Sequence, residues 1–156
     1  MGAREVVIGR EDVEALLLGA CPSFEGSADR LEYHRDFDEE AEPQVYLLAG
    51  VFVRHLTALN GAGRRGEFPA VFDVIEQLHI RGDKYVRDLA SIGFLEDLQN
   101  TNLHPANSRP EDFIPYLRPA SRWWWEEVEL FWHGKVNPIG SSGRPYPPPV
   151  GPGHGS

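Results

Sequence analysis

Six histidines and a single cysteine are the first groups in this sequence to test for chemistry. No histidine stands in a His-x-x-x-His or His-Glu-x-x-His pattern, and Cys21 has no Cys or His close by in sequence. The spacing that structural or catalytic zinc needs is therefore missing. His34 with Asp36 and Asp38 is the best local set of cation ligands, but its carboxylates read more simply as solvated loop charge. No metal site and no cofactor site is assigned. His55 and His79 fall on or beside helical apolar stripes, which predicts hydrogen-bonded histidines at the edge of a core.

Cys21 as a nucleophile would need a base and an orienting acid brought from elsewhere in the chain; the alternative is a buried or half-buried structural thiol. Glu96 and Asp97 are adjacent on a predicted helix, so their side chains diverge by about 100° and do not form a paired-carboxylate site. Gly61-Ala-Gly-Arg-Arg-Gly66 has glycines and cations for a phosphate, yet it lacks the Gly-Lys-Ser/Thr ending of a P-loop and follows no strand. It reads as a connector. No catalytic residue is assigned, and the expectation is a protein that is not an enzyme. A small hydrolase would need a concave site assembled from dispersed His, Asp and Glu.

Surface charge is more distinctive. The net charge is −9, and it is unevenly placed: residues 1–43 hold 12 Asp/Glu against 4 Lys/Arg, the remainder 12 against 11. Phosphate binding needs clustered Lys and Arg, so nucleic acid is not an expected partner. The acidic run at 36–42 reads either as a solvated loop or as a docking surface for a basic partner. In the second reading Asp36, Asp38, Glu39, Glu40 and Glu42 steer association, and Tyr33 and Phe37 are aromatic anchors.

These residues must be positioned by helices. A chain of 156 residues with 41% hydrophobic content can bury one core as one domain. No apolar run is long enough to cross a bilayer, and the acidic N-terminus lacks the order of a secretory signal. With one cysteine suited to a reducing compartment, the expected location is cytoplasmic. Apolar spacing predicts a helix over 12–18 and, after a long connection at 22–43, helices over 44–59, 68–81 and 83–99. Ser108-Arg109-Pro110-Glu111 reads as a capping box opening a short helix to about 117, and Ser121 as the cap of a last helix over 122–132. Of Trp123, Trp124 and Trp125, two are expected in the core with Val128 and Trp132, and one at an edge. The fold class is all-α: a single-domain bundle of five or six helices over 1–136, then a flexible Gly/Pro/Ser-rich tail over 137–156. The sequence leaves the oligomeric state open.

The helix at 83–99 is the centre of this arrangement. Asp83 is placed to cap it. Val86, Leu89, Ala90, Gly93 and Leu98 form a stripe that Ile92, Phe94 and Leu95 widen around most of the circumference, so neighbours must cover it on several sides. Ala90 and Gly93 leave room for another helix to approach. Asp83, Val86-Arg87 and Ala90 resemble the second helix of a HEAT-type repeat, which implies a HEAT-like helix pair; no period of about 40 residues recurs, so no solenoid is predicted.

The run Val86-Arg-Asp-Leu-Ala-Ser-Ile-Gly-Phe-Leu-Glu-Asp-Leu-Gln-Asn100 resembles the hallmark of a family of small acidic helical bacterial proteins, largely uncharacterised, many of which look like immunity proteins of polymorphic toxin systems. The resemblance spans roughly residues 44–105 and carries no catalytic motif. It implies an antitoxin-like protein that neutralises a cognate bacterial toxin by occluding its basic active cleft. The other function considered is a helical adaptor or scaffold that binds without inhibiting.

Overall fold

Most of the buried stripes read from the sequence correspond to helices in the computed structural model, which describes residues 6–36 and 44–147. Among the described residues the fold is an all-α bundle of seven α-helices with short 3₁₀ turns and no strand. An isolated parallel bridge joins Ile8 to Gly82, while the neighbouring Val6 and Val7 are exposed. No helix here is long and apolar enough to cross a membrane.

Helix α1, Val13–Ala20, buries Val13, Leu17 and Ala20. A 3₁₀ turn at Pro22–Phe24 then drops Phe24 into the core, edge-on to Phe52 with ring centroids 4.9 Å apart. The expected long connection at 22–43 is not one: it contains α2, Ala28–Asp36. Ser27 starts that helix by accepting the Arg30 N–H at 3.2 Å, a side-chain N-cap. Of the residues whose side chains are described in α2, only Tyr33 is buried, so the helix has no apolar stripe to announce it.

Helix α3, Val45–Gly61, buries Leu48, Ala49, Phe52, Val53 and Leu56, and α4, Phe68–Arg81, buries Phe72, Ile75 and Leu78. Asp83 caps the next helix as expected, accepting the Val86 N–H at 2.8 Å. This helix is continuous over 84–99 but changes its winding. Lys84–Asp88 is α5, Leu89–Leu95 is a π-helix and Glu96–Gln99 is α6. Counted as one rod, it brings the bundle to six.

The π segment packs against α3, α4 and α7, so the central position expected for it is realised. Gly93 is the reason α3 can come close: a Cβ there would lie 3.4 Å from the Ala49 Cβ and 2.9 Å from Leu89 Cδ1. The wider i→i+5 turn redistributes the faces. Ser91 is buried and donates to the Arg87 carbonyl, whereas Ile92, expected to widen the buried stripe, is 42% exposed.

Helix α7, Pro119–Trp132, starts before the expected Ser121 cap. Its N-terminus is capped from another helix: the Glu76 carboxylate of α4 accepts the N–H groups of Ala120 and Ser121, both at 2.9 Å. Trp125 is core beside Val128, Trp124 packs half-buried on that core, and Trp132 is exposed rather than buried. Ser108 likewise does not cap. The 3₁₀ helix Pro110–Tyr116 is opened by Arg109, whose N–H donates to Asp112 Oδ2 at 3.0 Å. Ser108 is instead buried in a polar network. Asn60 Nδ2 donates to Ser108 Oγ and to Asp112 Oδ2, both at 2.8 Å, and Arg65 Nε donates to Asn60 Oδ1 at 2.7 Å.

Composition predicts a flexible tail from 137, yet residues 137–147 fold back along α7. The fully buried Glu127 carboxylate accepts the Ser142 hydroxyl and N–H and, at 2.7 Å, Arg144 Nε. Arg144 also lies over the Trp123 ring, and Tyr146 stands edge-on to the same ring. Residues 148–156 of the expected tail lie outside the described residues.

Candidate functional site

Helices α2 and α3 pack together and leave a groove of about 490 Å³ between them and α6. Its walls carry Asp29 and Glu32 from α2, Tyr46, Leu47, Val51 and Arg54 from α3, and Asp97 from α6. Leu47 is 52% exposed and Tyr46 40%, so apolar surface stands open beside carboxylates. Nearby on α2, Leu31 is 54% exposed.

The most unusual charge in the groove is Asp97. Burial, helped by the neighbouring Glu96 charge, pushes its pKa up to about 6, because a low-dielectric setting disfavours the ionised form. Among the described residues no hydrogen-bond or ion-pair partner is present for this carboxylate. The α3 backbone is close, since a Cβ at Gly50 would lie 3.7 Å from Asp97 Oδ2. A half-buried carboxylate without a cation gains from one that is brought to it.

The sequence-predicted docking residues divide. Tyr33 is not an exposed anchor: it is 8% exposed and donates its hydroxyl to the Gln44 carbonyl at 3.3 Å, joining α2 to the start of α3. Asp36 is the last residue of α2. Phe37, Asp38, Glu39, Glu40 and Glu42 lie outside the described residues. Sequence reasoning missed Asp29, Glu32, Leu47 and Asp97. A signal existed for Leu47 and Tyr46, which are large apolar groups off the buried stripe of α3. None existed for Asp97, whose environment is assembled from distant helices.

The histidine and cysteine candidates are also placed. His34 turns toward α1, with Nε2 2.5 Å from Glu14 Oε2, and Arg30 Nε bonds the same oxygen at 3.0 Å. Among the described residues no group of three or more His, Cys, Asp and Glu side chains could hold a metal. Cys21 is buried, and desolvation first of all raises its pKa, so the thiolate is disfavoured. Its neighbour Ser23 is the hub of a surface set: Ser23 Oγ donates to Glu67 Oε1 at 2.5 Å and lies 2.8 Å from His55 Nε2.

The order of that set matters chemically. Burial opposes ionisation of Glu67, but the Ser23 hydroxyl and N–H outweigh it and lower the pKa; burial lowers His55 despite the Glu67 charge. The carboxylate holds the serine hydroxyl directly rather than orienting the imidazole. This differs from a nucleophile–base–orienter relay and fixes the 3₁₀ turn onto α3 and the start of α4.

One family model matches residues 14–133; its description reads domain of unknown function (DUF7674). No curated protein and no solved structure matches the chain.

Proposed function

The chain belongs to that family of unknown function, and from this premise we propose that it is a non-enzymatic immunity protein, cytoplasmic and bacterial, which neutralises a cognate toxin by covering a basic cleft. The observation that carries this reading is the α2–α3 groove, where Asp29, Glu32 and Asp97 surround the exposed Leu47 and Tyr46. Carboxylates steer a basic partner and set its orientation, while apolar contact supplies most of the binding free energy. The acidic run at 36–42 stands between α2 and α3 in the sequence and carries charge of the same sign.

Co-expression tests the reading. A neighbouring gene product that is toxic alone should be tolerated beside this protein, and the double change Asp29→Lys, Glu32→Lys should abolish that protection. If no neighbouring product is toxic, the immunity assignment fails. A stable complex that leaves the partner's activity unchanged would make the protein a non-inhibitory adaptor instead.

A further inference from the structure

Helix α3 carries a glycine at position 50, in the interior of its 17 residues. Glycine there weakens a helix, and packing does not call for it. Apart from the helix backbone, a Cβ built on Gly50 would meet one described atom within 4 Å, Asp97 Oδ2 at 3.7 Å, which is an ordinary contact. Gly93, by contrast, is pressed against Leu89 and Ala49. The effect of Gly50 is to leave the floor of the α2–α3 groove open down to the Asp97 carboxylate.

Tyr46, Leu47 and Val51 of α3 give that opening an apolar border, and Asp29 and Glu32 of α2 an acidic one. Arg54, one turn beyond Gly50, is the only Lys or Arg that lines the groove among the described residues. It forms no ion pair there with Asp29, Glu32 or Asp97, so three unneutralised carboxylates stand beside open apolar surface. Such a groove is complementary to a cation carried on an aliphatic stem. The α4–α7 cavity, also of about 490 Å³ and lined in part by Tyr146 and Pro147 of the returning segment, differs. There Glu76 is committed to Ala120 and Ser121, and His79 Nε2 is sealed from the surface.

Asp97 is the innermost charge of the groove. Desolvation, then the Glu96 charge, raises it to about 6, so it is ionised at neutral pH, and a cation brought to it offsets the cost of burying that charge unpaired. The other titratable groups that line the groove are Asp29, Glu32 and Tyr33 of α2 and Tyr46 and Arg54 of α3. Both phenols are raised by desolvation and stay neutral. Glu96, raised by desolvation as well, does not line the groove. Oδ2 is the Asp97 oxygen at the opening, and a single oxygen suits an ammonium rather than the bidentate fork of a guanidinium.

We propose that the α2–α3 groove receives one lysine side chain of the partner, its methylenes laid over Gly50 between Leu47 and Val51 and its ammonium ending on Asp97. This deepens the reading of the groove as a docking surface, and rests on it.

Two probes of equal stem length isolate the charge: N-acetyl-lysine methylamide and N-acetyl-norleucine methylamide. Amide NMR titration of the full chain at neutral pH should show saturable shifts at Leu47, Gly50 and Asp97 with the lysine probe, and roughly tenfold weaker binding of the norleucine probe. Lysine affinity should fall as the pH is lowered from about 7.5 to about 5 and Asp97 takes up its proton. Asp97→Asn should erase both the preference for lysine and its pH dependence. Gly50→Leu, which fills the floor and leaves the carboxylate in place, should abolish binding of both probes. The proposal is overturned by no saturable shift at those residues, by equal affinity for the two probes, or by a lysine preference that survives Asp97→Asn. Its failure is separable from that of the immunity reading. Protection in co-expression that Asp97→Asn leaves intact overturns the lysine receptor alone; lysine binding beside harmless neighbouring products overturns immunity alone.

Discussion

Glu76 Oε1 lies 2.8 Å from the Ser121 hydroxyl and 2.9 Å from the Ser121 backbone nitrogen, so one α4 carboxylate serves as the N-terminal cap of α7. A helix N-terminus favours negative charge and leaves its first N–H groups unpaired. Both needs are met here inside the core. Glu76→Ala should destabilise the protein by about 3 kcal/mol, the range for stranding buried donors, and Glu76→Gln by roughly half of that. Urea unfolding measures the loss, and hydrogen exchange should place the faster opening in α7.

Asn60 connects α3 to the 3₁₀ helix at Pro110–Tyr116 through Ser108 and Asp112. The side chain is 1% exposed, and every polar atom in it is used. Asn60→Ala should therefore cost about 2–4 kcal/mol, because a satisfied buried network is lost as a unit. An urea midpoint that does not move would show that the network contributes nothing.

His79 makes stability depend on pH with a definite sign. In the unfolded chain it takes up a proton near pH 6.5, while in the fold burial holds it near 3. The unfolded state binds more protons between these values, so the contribution is complete above about pH 6.5 and declines as pH falls toward 3. In His79→Leu this part of the acid sensitivity should vanish. The measurement is the difference between wild-type and variant unfolding free energies at pH 7 and at pH 4.

Asp97 contributes with the opposite slope. It ionises near 3.8 when unfolded and at about 6 in the fold, so the folded state holds the extra proton across that window. Stability from this group falls as pH rises from about 4 to 6 and stays reduced above. Asp97→Asn should be more stable than wild type at pH 7 and equal to it near pH 4. Equal stabilities at both values would mean that the carboxylate is not desolvated.

The returning segment rests on Glu127. Burial works against its ionisation, but hydrogen bonds from Ser142 and Arg144 prevail and lower its pKa. Arg144→Ala should raise hydrogen exchange throughout 137–147 roughly 10- to 150-fold, the equivalent of about 1.5–3 kcal/mol for a lost charge-assisted bond. Exchange in α3 and α4 should stay unchanged.

How far the sequence reveals the structure depends on what holds each part. The central helix is readable because Gly93 stands where α3 must come near, a relation local spacing encodes. Helix α2 is not, because burial in it is confined to Tyr33 and its start depends on the single Ser27 cap. The π winding at 89–95 leaves apolar composition unchanged while turning Ser91 in and Ile92 out, so periodicity misassigns Ile92. The segment 137–147 is held by polar bonds to a buried acid rather than by apolar area, and composition counts only the latter. The Asp97 groove and the Glu76 cap join residues far apart in the chain, and no pattern in one segment predicts either.

Tyr146 and Pro147 line the α4–α7 cavity, which fixes where the described chain leaves the body. A sequence attached after Ser156 is tethered to the cavity mouth through the nine residues 148–156. An appended peptide therefore meets that opening at the millimolar effective concentration of a short tether, whatever its concentration in solution.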